Sequence, residues 1–178
     1  MSNLSEAKSE IKEFFAKGQE GWQPFVTTNL RYLADWGRKY SLWPYPFGTA
    51  CCGIEYMAVL MSRYDISRYG AELVRFSPRQ ADLLVVAGTI SYKMAPVLKQ
   101  IHGQMCDPKW VISVGACASS GGFYNNYCTV QGIDEIIPVD VYVAGCPPHP
   151  ENILRSVIRL QEKIQAGADF PRGMKVEL

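Results

Sequence analysis

The sequence has little that would commit it to a bilayer or to nucleic acid. Its longest purely apolar runs, such as Leu83 to Ala87, fall far short of the roughly 20 residues a spanning helix needs. Membrane association is therefore expected to be peripheral or through partners. A charge excess of one sign is missing too: 18 basic against 17 acidic residues leave a formal net charge of +1. That excludes the electrostatic footprint that nucleic-acid binding requires. Residues Met1 to Lys12 mix polar and charged groups and lack an apolar signal-peptide core, so export is not expected. The two histidines, His102 and His149, stand in no recognisable ligand spacing, and neither a P-loop, a G-x-G-x-x-G nor an H-E-x-x-H pattern occurs.

What is present is one domain's worth of apolar material and an unusual stock of thiols. A chain of 178 residues, 48% of them apolar, can bury a single core with short appendages. Six cysteines without a signal peptide favour metal or redox chemistry over a disulfide framework.

Ser5 to Lys17 and Phe25 to Lys39 carry apolar residues at helical spacing and make an amphipathic N-terminal extension, residues 1–40. The second stretch sets Val26, Leu30, Leu33 and Trp36 beside Arg31, Arg38 and Lys39, which suits a partner surface or a membrane interface as well as an ordinary core-covering helix. Residues 41–166 then read as an α/β domain. Three β-branched runs, Leu83 to Gly88, Trp110 to Gly115 and Val139 to Gly145, each end in glycine and predict strands that stop abruptly at loops. Lys93 to Gln104 and Pro150 to Gln165 are patterned as helices between and after them. Near-continuous apolar strands alternating with helices predict a mostly parallel sheet covered on both faces. Glu72 to Phe76 is expected to join it, Ile54 to Met61 to form a helix, and residues 167–178 to be a poorly ordered tail.

In such a sheet, ligands bind beyond the carboxyl ends of the strands, and there the sequence places cysteine. Cys117 follows the second run in Gly115-Ala116-Cys117-Ala118-Ser119-Ser120-Gly121-Gly122, and Cys146 follows the third in Gly145-Cys146-Pro147-Pro148. The pair Cys51-Cys52 sits in a small-residue loop, Gly48 to Gly53. Four thiols on three loops suffice for a cubane cluster. A bridge between Cys51 and Cys52 is disfavoured, because adjacent Cα atoms stand about 3.8 Å apart, below the usual disulfide range of about 4.4 to 6.8 Å. Buried inert thiols and a four-cysteine zinc site remain open on the residues alone, although zinc sites usually employ C-x2-4-C knuckles that are absent here. A four-thiolate cluster is anionic, so glycine-rich loops that let amides approach sulfur fit it, and Arg75 and Arg79 are candidates for a cationic shell. Cys106 and Cys128 read as structural.

Ser41-Leu42-Trp43-Pro44, Ala50-Cys51-Cys52 with Glu55, Ser77-Pro78-Arg79-Gln80-Ala81-Asp82, Val86-Ala87-Gly88-Thr89, Lys93-Met94-Ala95-Pro96, Pro108 to Ser113, Gly115 to Gly122 and Gly145-Cys146-Pro147-Pro148 together resemble the B-subunit family of proton-pumping NADH-quinone oxidoreductase, respiratory complex I. The likeness covers about Trp36 to Lys163. It implies a flavodoxin-like fold related to the small subunit of nickel-iron hydrogenases, and one 4Fe-4S cluster, the terminal cluster N2, on Cys51, Cys52, Cys117 and Cys146. It implies electron transfer to a quinone bound between this chain and a large hydrogenase-like subunit. The other implied partners are an upstream ferredoxin-like iron-sulfur subunit and a quinone-site membrane subunit, with this chain lying peripherally on the cytoplasmic side of the inner membrane. Arg79, Met57 and Met61 are implied to lie near the quinone cavity, and Glu55 is a candidate proton-coupling group, since added negative charge makes a neighbouring carboxyl hold its proton. Gly53 and Tyr56 stand where the family more often has alanine and methionine, and Ala144 replaces a frequent proline. The rival assignment is the small subunit of a membrane-bound nickel-iron hydrogenase.

Overall fold

The computed structural model describes residues 23–166 and 174–176; for residues 23–29, 31 and 174–176 it describes the backbone alone. The predicted helix Ser5 to Lys17 lies outside the described residues. By its internal contacts the chain divides after Gly37. Helix α1 (Gln23–Lys39) ends in Arg38 and Lys39, basic residues that complement the negative end of a helix dipole.

Beyond it, β1 (Pro44–Gly48), β2 (Leu83–Ala87), β3 (Trp110–Val114), β4 (Val141–Val143) and β5 (Met174–Val176) form one wholly parallel sheet in chain order. Helices α2 (Cys51–Val59), α3 (Ala95–Gln104), the short α4 (Ala116–Ser120) and α5 (Pro150–Ala166) occupy the connections. Alternation along β2 divides the core in two. Leu83, Val85 and Ala87 face one apolar layer with Tyr56 and Val59 of α2 and Ile153, Val157 and Leu160 of α5. Leu84 and Val86 face the other, with Leu98 and Ile101 of α3, Ala118 of α4 and Val130 and Ile133. This period-two division, with both faces buried, is what an unbroken apolar strand requires. The expected α/β architecture is therefore observed.

Three elements differ from expectation. β1 is a strand despite Pro44 and Pro46, and Glu72 to Phe76 is not a strand although it lies along β1. Leu42 N donates to Gly70 O and Arg75 N donates to Pro44 O, each at 2.9 Å. Residues 42 and 44 thus point their polar groups at this segment, and by strand alternation residue 46 does as well. Neither proline has an N–H, so two donors are missing from that edge and no regular ladder forms. The third difference is the tail: Met174, Lys175 and Val176 pair in parallel with Val141, Tyr142 and Val143. The free edge of β4 offers unpaired backbone groups that an extended segment can satisfy.

At the opposite end of the sheet from the strand-end loops, Lys163 Nζ donates to Asp140 Oδ1 at 2.6 Å, and Val111 N donates to Asp140 Oδ2 at 2.9 Å. This pair ties α5 to the entrances of β3 and β4.

Candidate functional site

Parallel strands deliver their carboxyl ends to one edge, and the loops there carry the four cysteines. From β1 the chain passes through Thr49, whose N–H donates to Ala87 O at 3.0 Å and whose hydroxyl donates to Thr89 O at 2.7 Å. That anchors the first loop on the end of β2. Helix α2 begins at Cys51 itself, with Ala50 extended before it, so the cysteine pair opens the helix rather than preceding it. The first N–H groups of a helix lack intrahelical acceptors and carry its positive dipole end, an environment that favours anions. The loops after β3 and β4 are bound to each other: Gly115 N donates to Val143 O at 2.9 Å, and Ala116 N donates to Gly145 O at 2.8 Å.

Gly115 has φ +89°, and a Cβ there would collide with Cys52 Sγ. Only glycine combines that backbone with that approach. Gly122 packs similarly on Cys117, where a Cβ would stand 3.2 Å from Sγ. Cys52 and Cys117 are buried, 2% and 6% exposed, while Cys51 and Cys146 are exposed. All six cysteines of the chain are unbridged. The Cys52 thiol is pushed up to about 12, first by burial and then by the neighbouring Cys51, Cys117 and Cys146. Cys52 thus lies within electrostatic reach of the other three thiols, which come from all three loops. Among the described residues no three His, Cys, Asp or Glu side chains are arranged to hold a single metal ion.

Glu55 is half-buried on α2, one turn beyond the pair. Arg79 lies in a short 3-10 turn, Pro78–Gln80, that leads into β2, and its carbonyl accepts from the Cys106 thiol at 3.8 Å. That is the amino-terminal edge of the sheet, away from the strand ends. The Arg75 guanidinium lies 4.5 Å from the centre of the Trp43 ring. The fold thus gathers the cysteines and Glu55 but holds the backbone of Arg79 elsewhere.

Beside α2 opens an apolar cleft of about 370 Å³, walled by Pro46, Ile54, Met57, Leu60, Val74 and Phe76, with Ala50 and Gly53 flanking the cysteine pair. Met57 lines it, whereas the exposed Met61 is not among its lining residues. Tyr56 also lines the cleft; its hydroxyl is buried with no hydrogen-bond partner among the described residues, and burial raises its pKa, keeping the proton on oxygen. In the sequence Tyr56 stands out as a departure without a role, because its burial depends on elements distant in the chain.

The family model described as NADH ubiquinone oxidoreductase, 20 Kd subunit, matches residues 50–160, a span that contains all four cysteines. The chain belongs to this family. The B subunit of NADH-quinone oxidoreductase from Aliarcobacter butzleri is 73% identical over 138 residues, 78% of this chain and 81% of that protein. The corresponding B subunit from Leptospira biflexa is 60% identical over 163 residues, 92% of this chain and 84% of its own length. Among solved structures, a chain of the membrane-bound sulfane sulfur reductase, an archaeal respiratory membrane complex, aligns with a TM-score of 0.73 and 38% identity, covering 77% of each chain. Among the described residues of this family member, no helix is long and apolar enough to cross a membrane.

Proposed function

We propose that the chain is the electron-transfer subunit of a proton-translocating NADH-quinone oxidoreductase, with Cys51, Cys52, Cys117 and Cys146 holding one 4Fe-4S cluster. The observation that carries this reading is the convergence of four cysteines on three loops at one sheet edge, with the buried Cys52 influenced by the other three. Unshielded, four thiolates there would repel; an iron-sulfur core between them supplies the compensating cations and uses all four as ligands. A single zinc, at about 2.3 Å from every sulfur, would need the thiols drawn tightly together. Four cysteines without a C-x2-4-C knuckle are a donor set suited to the larger group.

When bound, such a cluster supplies one-electron transfer from an upstream iron-sulfur carrier to quinone. The chain's own residues do the rest. Cys52 and Cys117 are removed from water, while Cys51 and Cys146 stand at the rim. The amides opening α2 offer a positive dipole end to the cysteine pair, and burial of Cys52 and Cys117 would tune the potential of a bound cluster. The apolar cleft begins at Ala50 and Gly53, immediately beside the cysteine pair. It forms this chain's wall of the quinone site, the other wall coming from a large hydrogenase-like subunit. The remaining partners are a ferredoxin-like iron-sulfur subunit and a quinone-site membrane subunit, and the chain lies peripherally at the cytoplasmic face of the inner membrane. Arg79 stands apart from this cleft, its backbone lying at the other sheet edge.

The relatives that are 60 to 73% identical are NADH-quinone oxidoreductase subunits, which supports quinone over a nickel-iron site as acceptor. The test is low-temperature electron paramagnetic resonance of the reduced complex, purified through a tag on this chain. A 4Fe-4S signal in wild type that is missing from Cys117→Ala is expected; identical spectra would remove the ligand assignment and the mechanism with it.

A further inference from the structure

The cleft beside the cysteine pair is apolar along its side-chain wall except at one residue. Pro46, Ile54, Met57, Val74 and Phe76 offer only carbon and sulfur, whereas Tyr56 brings a hydroxyl. Tyr56 is 2% exposed and packs in the layer formed by Val59, Leu83 and Val85. Its hydroxyl finds no acceptor among the described residues. Buried hydroxyls in folded proteins are nearly always paired, with protein, with water or with a ligand, because leaving one unmade forfeits its hydration without return. A phenylalanine would fill the same space without that cost. Because Tyr56 also lines the cleft, a carbonyl entering there is an acceptor that would satisfy it.

We propose that Tyr56 binds the quinone directly, its hydroxyl donating a hydrogen bond to a ring carbonyl oxygen inside the cleft. The proposal rests on the reading that this cleft takes quinone, and adds the group that orients it. A cleft of about 370 Å³ falls in the size class of small-molecule pockets, which are apolar with few polar groups fixing orientation. A quinone ring supplies flat apolar area for Met57 and Phe76 and a carbonyl for the hydroxyl. A lipid acyl chain would supply the first without the second. No proton is transferred: the raised pKa keeps Tyr56 protonated, so it acts as a donor of constant strength across the working pH range.

The test uses the assembled complex and a short-chain ubiquinone analogue, comparing wild type with Tyr56→Phe and Met57→Trp. Loss of one buried hydrogen bond is expected to raise the KM of Tyr56→Phe about tenfold, with kcat at saturation within about twofold and the cluster signal per complex unchanged. The KM ratio should be constant between about pH 6.5 and pH 8.5, as a donor that does not titrate requires. In infrared difference spectra with carbonyl-labelled quinone, one carbonyl band should move to higher frequency in Tyr56→Phe. Unchanged KM and unchanged bands overturn the proposal. A KM rise accompanied by an equal loss of cluster signal also overturns it, because the residue would then be structural. Met57→Trp separates the two levels: if it blocks quinone reduction while Tyr56→Phe does nothing, the cleft reading stands and the Tyr56 role fails. Wild-type quinone kinetics in Met57→Trp would sink the cleft reading itself.

Discussion

Gly115 and Cys52 come from different strand ends, yet a Cβ on Gly115 would collide with Cys52 Sγ. The two loops are thereby fixed at contact distance, and the approach tolerates no side chain. Gly115→Ala should fail on both backbone and contact, since φ +89° costs a non-glycine residue about 1 to 3 kcal/mol. The expected result is a chain that accumulates with reduced stability and loses most of its iron and acid-labile sulfide. Chemical analysis of the purified complex checks this; full iron content would show that the approach is not required.

Asp82 gives a pH dependence with a definite sign. Trp43 N donates to its Oδ1 at 2.7 Å, but burial dominates and raises the carboxyl above its ordinary 3.8, against the amides of Trp43, Asp82 and Leu83. A folded pKa above the unfolded one means that the folded chain binds more protons in the window between them. The stabilising contribution is then complete below the unfolded value and is lost as pH rises through the folded value. Asp82→Asn removes that loss while keeping an acceptor for Trp43. Thermal midpoints of the purified chain from about pH 3.5 to about pH 7 should rise in the variant relative to wild type across the window. Parallel curves would contradict the burial effect.

Lys163 and Asp140 form an ion pair with side chains only 10% and 15% exposed. Lys163→Met leaves the carboxylate buried without its cation, which should cost about 3 to 5 kcal/mol. The double change Lys163→Met with Asp140→Asn should cost markedly less, because no unpaired charge remains. Urea midpoints measure both. The cluster signal should survive in both variants, since the pair lies at the sheet edge opposite the cysteines.

Glu55 lies one helical turn beyond Cys51 and Cys52, close enough for a carboxyl to answer added negative charge by binding a proton. Glu55→Gln should therefore weaken the pH dependence of the cluster's midpoint potential. Redox titrations monitored by paramagnetic resonance at several pH values decide it, and an unchanged slope would take Glu55 out of proton coupling.

The amino-acid sequence alone determined the α/β class, because short apolar runs ending in glycine and alternating with helical patterns suit strands buried on both faces, and it marked Cys117 and Cys146 by their places after such runs. Cys51 and Cys52 were legible as an unusual pair, but not that they open a helix, since small residues on both sides read as loop. β1 was hidden by Pro44 and Pro46, which forbid a central strand and permit one whose proline side faces an irregular neighbour. The same prolines kept Glu72 to Phe76 from pairing regularly. Only the tertiary structure decided the cleft, the orphaned Tyr56 hydroxyl and the contact of Gly115 on Cys52. Each depends on groups brought together from distant stretches of chain. Local pattern records which face a residue prefers, while what it meets on that face is set by the packing of the sheet and its helices.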